Sequence, residues 1–138
     1  MAASPRTYNI LVVEDNPGDA HLIQEAFLES GSTCHLIVTD TVEKAEEALR
    51  TTAFDLVLSD MGVRNGENED FIKRIRGNPR LKSLPIIVVS GSPNPRPAYE
   101  AGANAFVSKT MDMDQFFAKI QALMHFWVDI AELPPSRL

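Results

Sequence analysis

Leu56-Val57-Leu58-Ser59-Asp60 is an unbroken apolar run that passes into a polar pair and ends on an acid. Aliphatic residues without alternation suit a strand covered on both faces, as in a parallel sheet. Four other short runs read the same way. Tyr8 to Val13 ends at Glu14-Asp15-Asn16-Pro17, and His35 to Val38 leads into Thr39-Asp40-Thr41. Ile86 to Val89 ends at Ser90-Gly91-Ser92, and Ala105-Phe106-Val107 ends at Ser108-Lys109. Between the runs, apolar residues recur at helical spacing: Leu22, Ile23, Ala26 and Phe27, then Val42, Ala45, Ala48 and Leu49, then Phe71, Ile72 and Ile75. Pro17 suits a first helical turn, and Gly31 suits a helix stop. Pro93, Pro95 and Pro97 predict a fourth helix that starts late and is short. A long last helix is predicted from Met113 to Ile130.

Strands alternating with helices predict an α/β fold, a parallel sheet covered on both sides. Right-handed crossovers joining five strands give a doubly wound, flavodoxin-like sheet of order 2-1-3-4-5. The chain has 138 residues, the common size of one domain. It reads as a single unit over 1–138, with its core at about 8–130 and a tail marked by Pro134-Pro135.

The composition is ordinary for a globular protein, 44% hydrophobic and 23% charged, so disorder is not expected. A formal net charge of −6 argues against non-specific nucleic-acid binding, which needs Lys/Arg patches. No apolar stretch approaches the roughly 18 to 20 residues of a membrane span, and the first residues carry no signal-peptide core. Cys34 is the single cysteine, so no internal disulfide forms and a reducing cytoplasm is expected. Its place at the head of an apolar run predicts an inert, buried thiol.

Ligands of doubly wound sheets bind outside the carboxyl ends of the strands. The residues expected there are Glu14 and Asp15, Asp60, Ser90 and Lys109. Three carboxylates packed together repel unless a cation joins them. An all-oxygen set suits Mg²⁺. A carboxylate beside such a cation can attack phosphorus, with Lys109 neutralising the transferring group and Ser90 donating to it afterwards. Each residue alone has a plainer role; Glu14-Asp15 serves equally well as a solvated loop or a helix cap. The joint pattern, each residue at the right end of a predicted strand, is far harder to obtain by accident.

Those stretches carry a family resemblance. Leu11-Val12-Val13-Glu14-Asp15-Asn16, Asp55 to Met61, Pro85 to Gly91 and Ala101 to Lys109 together resemble the receiver domains of two-component response regulators. The resemblance implies that Asp60 is the phosphoacceptor and Asp15 the direct metal ligand, with Glu14 its acidic neighbour. It implies that Gly62 offers a backbone carbonyl to Mg²⁺ and that Lys109 binds phosphate. Ser90 and Phe106 would be the switch hydroxyl and switch aromatic, and Gly91 the small residue that leaves phosphate access. The implied partner is a sensor histidine kinase. The Asp15-Asn16-Pro17-Gly18-Asp19 stretch and the last helix are similar to single-domain regulators that work with phytochrome-type kinases. The chain would catalyse only its own phosphotransfer and dephosphorylation. It departs from the family in the loop Gly62 to Asn68 and in Thr110, which stands where proline is usual.

Two alternatives lie beside this reading. One is a phosphorylation-independent interaction module on the same fold, disfavoured because Asp15, Asp60 and Lys109 are all present. The other is an aspartate-nucleophile phosphatase, which wants a second acid two residues after the nucleophile; Gly62 stands there. On the last helix, Phe116, Ile120, Leu123, Trp127 and Ile130 form one stripe, expected as core. Phe117, Met124 and Val128 form a second stripe, either a deeply buried edge or a homodimer or partner surface, with the expectation leaning to a homodimer. His21, His35 and His125 have no metal-ligand spacing and are expected as surface or structural residues.

Overall fold

The computed structural model describes residues 7–29, 33–60, 67–109 and 112–134. Its elements run β1 (Tyr8–Glu14), α1 (Pro17–Glu29), β2 (Cys34–Thr39), α2 (Val42–Thr51), β3 (Leu56–Asp60), α3 (Glu67–Gly77), β4 (Ile86–Ser90), α4 (Arg96–Ala101), β5 (Ala105–Ser108) and α5 (Met113–Met124). A π-helical turn, His125–Ile130, continues α5. The strands form one sheet in the order β2-β1-β3-β4-β5, with every pair parallel. This is the doubly wound arrangement that the alternating runs predict.

The pleat sends successive side chains of each strand to opposite faces. Leu11, Val13, Val57, Ile86 and Val88 pack against α2, α3 and α4. Ile10, Val12, Leu56, Leu58, Ile87 and Val89 pack against α1 and α5. The central strands are therefore buried on both sides, as their unalternated sequences require. The edge strands β2 and β5 are mostly half-buried. Cys34 sits on the β2 edge, partly buried, and desolvation pushes its thiol up to about 11, so it is inert near neutral pH.

Local signals set the helix ends. Asn16 caps α1, its Oδ1 accepting the Asp19 N–H at 3.0 Å, with Pro17 as the first helical residue. Thr41 caps α2 through the Lys44 N–H, and Asp112 caps α5. Helix α4 has only six residues and carries Pro97 in its first turn, as the proline cluster predicts. Among the described residues no helix is long and apolar enough to cross a membrane.

The last helix differs from expectation. It is α-helical only to Met124; beyond it, the Ala131 N–H donates to Phe126 O five residues back, at 2.6 Å. The wider turn rotates the residues that follow relative to a straight α-helix. Met124 and Val128, expected either at a deeply buried edge or at a homodimer surface, are buried in the core, and Phe117 is half-buried against it. Ile130, expected in the core, is 58% exposed, as is much of Phe126. A homodimer contact through Met124 and Val128 is thereby corrected: these side chains complete the α1–α5 side of the core.

At the opposite end of the sheet from the strand-end acids, Arg76 ties α3 to the segment before β4 and to the turn between α4 and β5. Its Nε donates to Gly102 O (2.8 Å), its Nη1 to Leu84 O (2.7 Å) and Lys82 O (3.0 Å), and its Nη2 to Asn104 Oδ1 (2.8 Å). Gly102 ends α4 at φ 118°, and a Cβ there would lie 2.7 Å from Arg76 Cγ. Gly102→Ala is expected to lower unfolding free energy by about 2 kcal/mol, from left-handed strain and displacement of Arg76. Urea unfolding measures it; an unchanged midpoint would refute the contact.

Candidate functional site

The site forms where the strands end. Parallel register places Glu14 on β1 directly beside Asp60 on β3. On the other side, Ser90 pairs with Ser108, and the Lys109 N–H donates to Ser90 O at 2.8 Å, which fixes the lysine at the rim. Glu14 and Asp60 are each only 2% exposed. The Lys109 ammonium lies 2.5 Å from Asp60 Oδ2, 2.6 Å from Asp19 Oδ2 and 3.5 Å from Glu14 Oε2. One cation is shared by three acids.

These acids are not fully satisfied. Glu14 Oε1 accepts the Asn16 N–H at 2.9 Å. Glu14 Oε2 and Asp60 Oδ2 are buried and meet the Lys109 ammonium as ion pairs outside ideal hydrogen-bond geometry. Burial pushes the Glu14 carboxyl up to about 9, helped by a proton shared with Asp60 and by Asp60's charge. Asp60 is also raised, chiefly by burial, which its contacts with Glu14 and Lys109 oppose without cancelling. For Lys109, burial works against the charged form. The hydrogen bond to Asp19, the close ion pair with Asp60 and the charge of Glu14 outweigh it and hold the ammonium above the usual lysine range. Without a further cation, then, the Glu14–Asp60 pair keeps a proton that carboxyls in water would release.

Oxygens of Glu14, Asp19 and Asp60 lie within 4.8 Å of one another. Buried carboxylate oxygens that share one ammonium among three acids, in an all-oxygen set, fit a hard divalent cation. Sequence reasoning did not single out Asp19. The available signal was an acid three residues after the cap Asn16, which reads as a partner for the helix dipole. Only the fold shows that the first turn of α1 overhangs the strand ends.

The other expected residues lie around this centre. Asp15 is half-buried beside Glu14 and is not one of the trio. Ser90 is half-buried, its Oγ accepting the Ser92 N–H at 3.1 Å, which leaves the hydroxyl proton free to donate elsewhere. Phe106 is half-buried against the α2–α4 side of the core, and its N–H donates to Tyr99 Oη at 3.2 Å. The Ser59 hydroxyl donates to Asn68 Oδ1 at 2.6 Å, linking the end of β3 to α3. Gly62, Thr110 and most of the loop after Asp60 lie outside the described residues.

Residues 10–121 match the response regulator receiver domain family. The chain belongs to that family. Response regulator Rcp1 of Synechocystis sp. is 26% identical over 137 residues, spanning 92% of this chain and 93% of its own length. Response regulator Rre1 of the same organism is 29% identical, but the chain covers only 51% of it. The crystal structure of the phosphorylated cyanobacterial phytochrome response regulator RcpA superposes with a TM-score of 0.87 at 27% identity, covering 94% of this chain and all (100%) of that one. The Mn²⁺-bound form of Rcp1 superposes with a TM-score of 0.84 at 26% identity, over 93% of this chain and 99% of that one. Receiver domains are signalling proteins, and the buried acids and lysine lie at the strand ends, where this fold holds its ligands.

Proposed function

We propose that this receiver works as a phosphoacceptor in a two-component relay, taking a phosphoryl group on Asp60 from a sensor histidine kinase. The carrying observation is the buried Asp60 carboxylate at the strand ends, beside Glu14 and with its Oδ2 2.5 Å from the Lys109 ammonium. An Asp60 oxygen forms the new P–O bond as the P–N bond to the donor imidazole breaks. The electron pair leaves on that ring nitrogen, which takes a proton from solvent. Lys109 stabilises the charge on the phosphoryl oxygens, and Ser90 donates its hydroxyl proton to one of them afterwards. Phe106 follows Ser90 as the switch aromatic, shifting the population toward a partner-binding conformation.

Mg²⁺ is the proposed cation, held by Asp15, Asp60 and the Gly62 carbonyl with Glu14 adjoining. When bound it would neutralise charge on the transferring group. The donor's class is proposed from similarity to Rcp1 and RcpA: a phytochrome-type kinase in the cytoplasm. The span of 93% of Rcp1 supports reading residues 1–138 as one receiver domain. Slow loss of the phosphate by attack of water would reset it.

Incubation with Mg²⁺ and acetyl phosphate should add one phosphate to the intact mass. The adduct should vanish with EDTA and with Asp60→Asn. A wild-type protein that stays unmodified while binding partners normally would instead establish a phosphorylation-independent module.

A further inference from the structure

Asp19 stands apart from the other two acids of the site. The Glu14 and Asp60 side chains are 0% and 2% exposed, whereas that of Asp19 is 32% exposed, so it forms the outer wall of the site. It nevertheless takes a direct hydrogen bond from Lys109, at 2.6 Å. Its place is fixed from behind. Asn16 accepts the Asp19 N–H through its side chain and donates its own N–H to Glu14, so the end of β1, the cap and Asp19 form one connected unit.

We propose that Asp19 is a positioning residue for phosphoryl transfer: it holds Lys109 across the mouth of the resting site and competes with the incoming phosphoryl group for that ammonium. The inference rests on the phosphoacceptor reading above. A phosphoryl donor is itself anionic. It therefore meets a carboxylate at the entrance and a lysine already engaged on two sides. The same negative charge adds to the attraction the site exerts on a divalent cation. Asp19 thus pulls in opposite directions, favouring the metal and opposing the donor. A residue that merely maintained the fold would not divide these effects.

Asp19→Asn removes the charge at nearly constant shape. Partly exposed charge pairs of this kind shift equilibria by up to about fivefold. Isothermal titration calorimetry with Mg²⁺ alone should show binding weakened by about that factor. At saturating Mg²⁺, the apparent KM for acetyl phosphate should fall by about the same factor, and the gain should shrink at high ionic strength. Asp19→Glu, which keeps the charge, should return both quantities toward wild type, and far-UV circular dichroism reports whether each variant is folded. Metal affinity and donor uptake falling together, or neither moving in a folded variant, would overturn the role of Asp19 while leaving Asp60 as acceptor. Absence of any Mg²⁺-dependent adduct on the wild type would overturn the phosphoacceptor reading, and this inference with it.

Discussion

Lys109→Met should slow phosphoryl uptake from acetyl phosphate by about a thousandfold at saturating Mg²⁺, the upper range for removing one preorganised charge from a transferring group. The substitution keeps most of the side-chain volume, so the loss would report charge rather than packing. It should also destabilise the fold. The ammonium is the cation that Glu14, Asp19 and Asp60 share, and its side chain is 23% exposed. Removing one partner of a buried ion pair costs about 3 kcal/mol when the remaining charges cannot neutralise themselves. Here they can, by taking up protons, so the cost should be small in mild acid and grow toward alkaline pH. Stopped-flow uptake of phosphate and urea unfolding at two pH values separate the effects. A variant that phosphorylates within tenfold of wild type, roughly 1.4 kcal/mol of barrier, would show that Lys109 is dispensable for transfer.

The chain states its topology openly because its central strands are buried on both faces. Ile10 to Val13, Leu56 to Leu58 and Ile86 to Val89 have no polar position to blur the pattern. Parallel strands that end in step then bring Glu14 beside Asp60 without further information. The family motifs around Asp60, Ser90 and Lys109 follow the same rim. Helix α4 was legible too, since proline is tolerated only in a first turn.

Two features were hidden, for different reasons. The π-helical turn has no residue signature. Phe126, Trp127 and Val128 are consecutive apolar residues, so α-helical and π-helical registers both supply something to bury. The choice falls to packing in the core on that side of the sheet, which takes Val128 inward and leaves Ile130 out. Asp19 was hidden because its local role is complete in itself, an acid in the first turn of a capped helix. Its contact with Lys109 spans 90 positions and exists only once α1 is laid over the strand ends.

The metal-free protein should lose stability as pH rises between about pH 5 and pH 9, and Mg²⁺ should restore it. The sign follows from Glu14. Its carboxyl is raised from 4.5 to about 9 by burial and by Asp60, so the folded state binds its proton more tightly than the unfolded chain does. That contribution is fully present below the unfolded value and is lost as pH climbs through the folded one. Each pKa unit corresponds to about 1.4 kcal/mol, so the window is worth several kcal/mol, shared by the Glu14–Asp60 pair rather than owned by either residue. A divalent cation replaces the proton and reverses the slope. Binding should therefore release protons, and the measured enthalpy should depend on the buffer's own ionisation enthalpy. Thermal melts in EDTA and in Mg²⁺ should diverge steadily across the window, with the gap largest at its alkaline end. Glu14→Gln should flatten the EDTA curve, because the amide cannot ionise, and should leave a residual slope from Asp60. Parallel melts in EDTA and Mg²⁺ across the whole range would mean that these buried acids neither hold the proton nor exchange it for a cation.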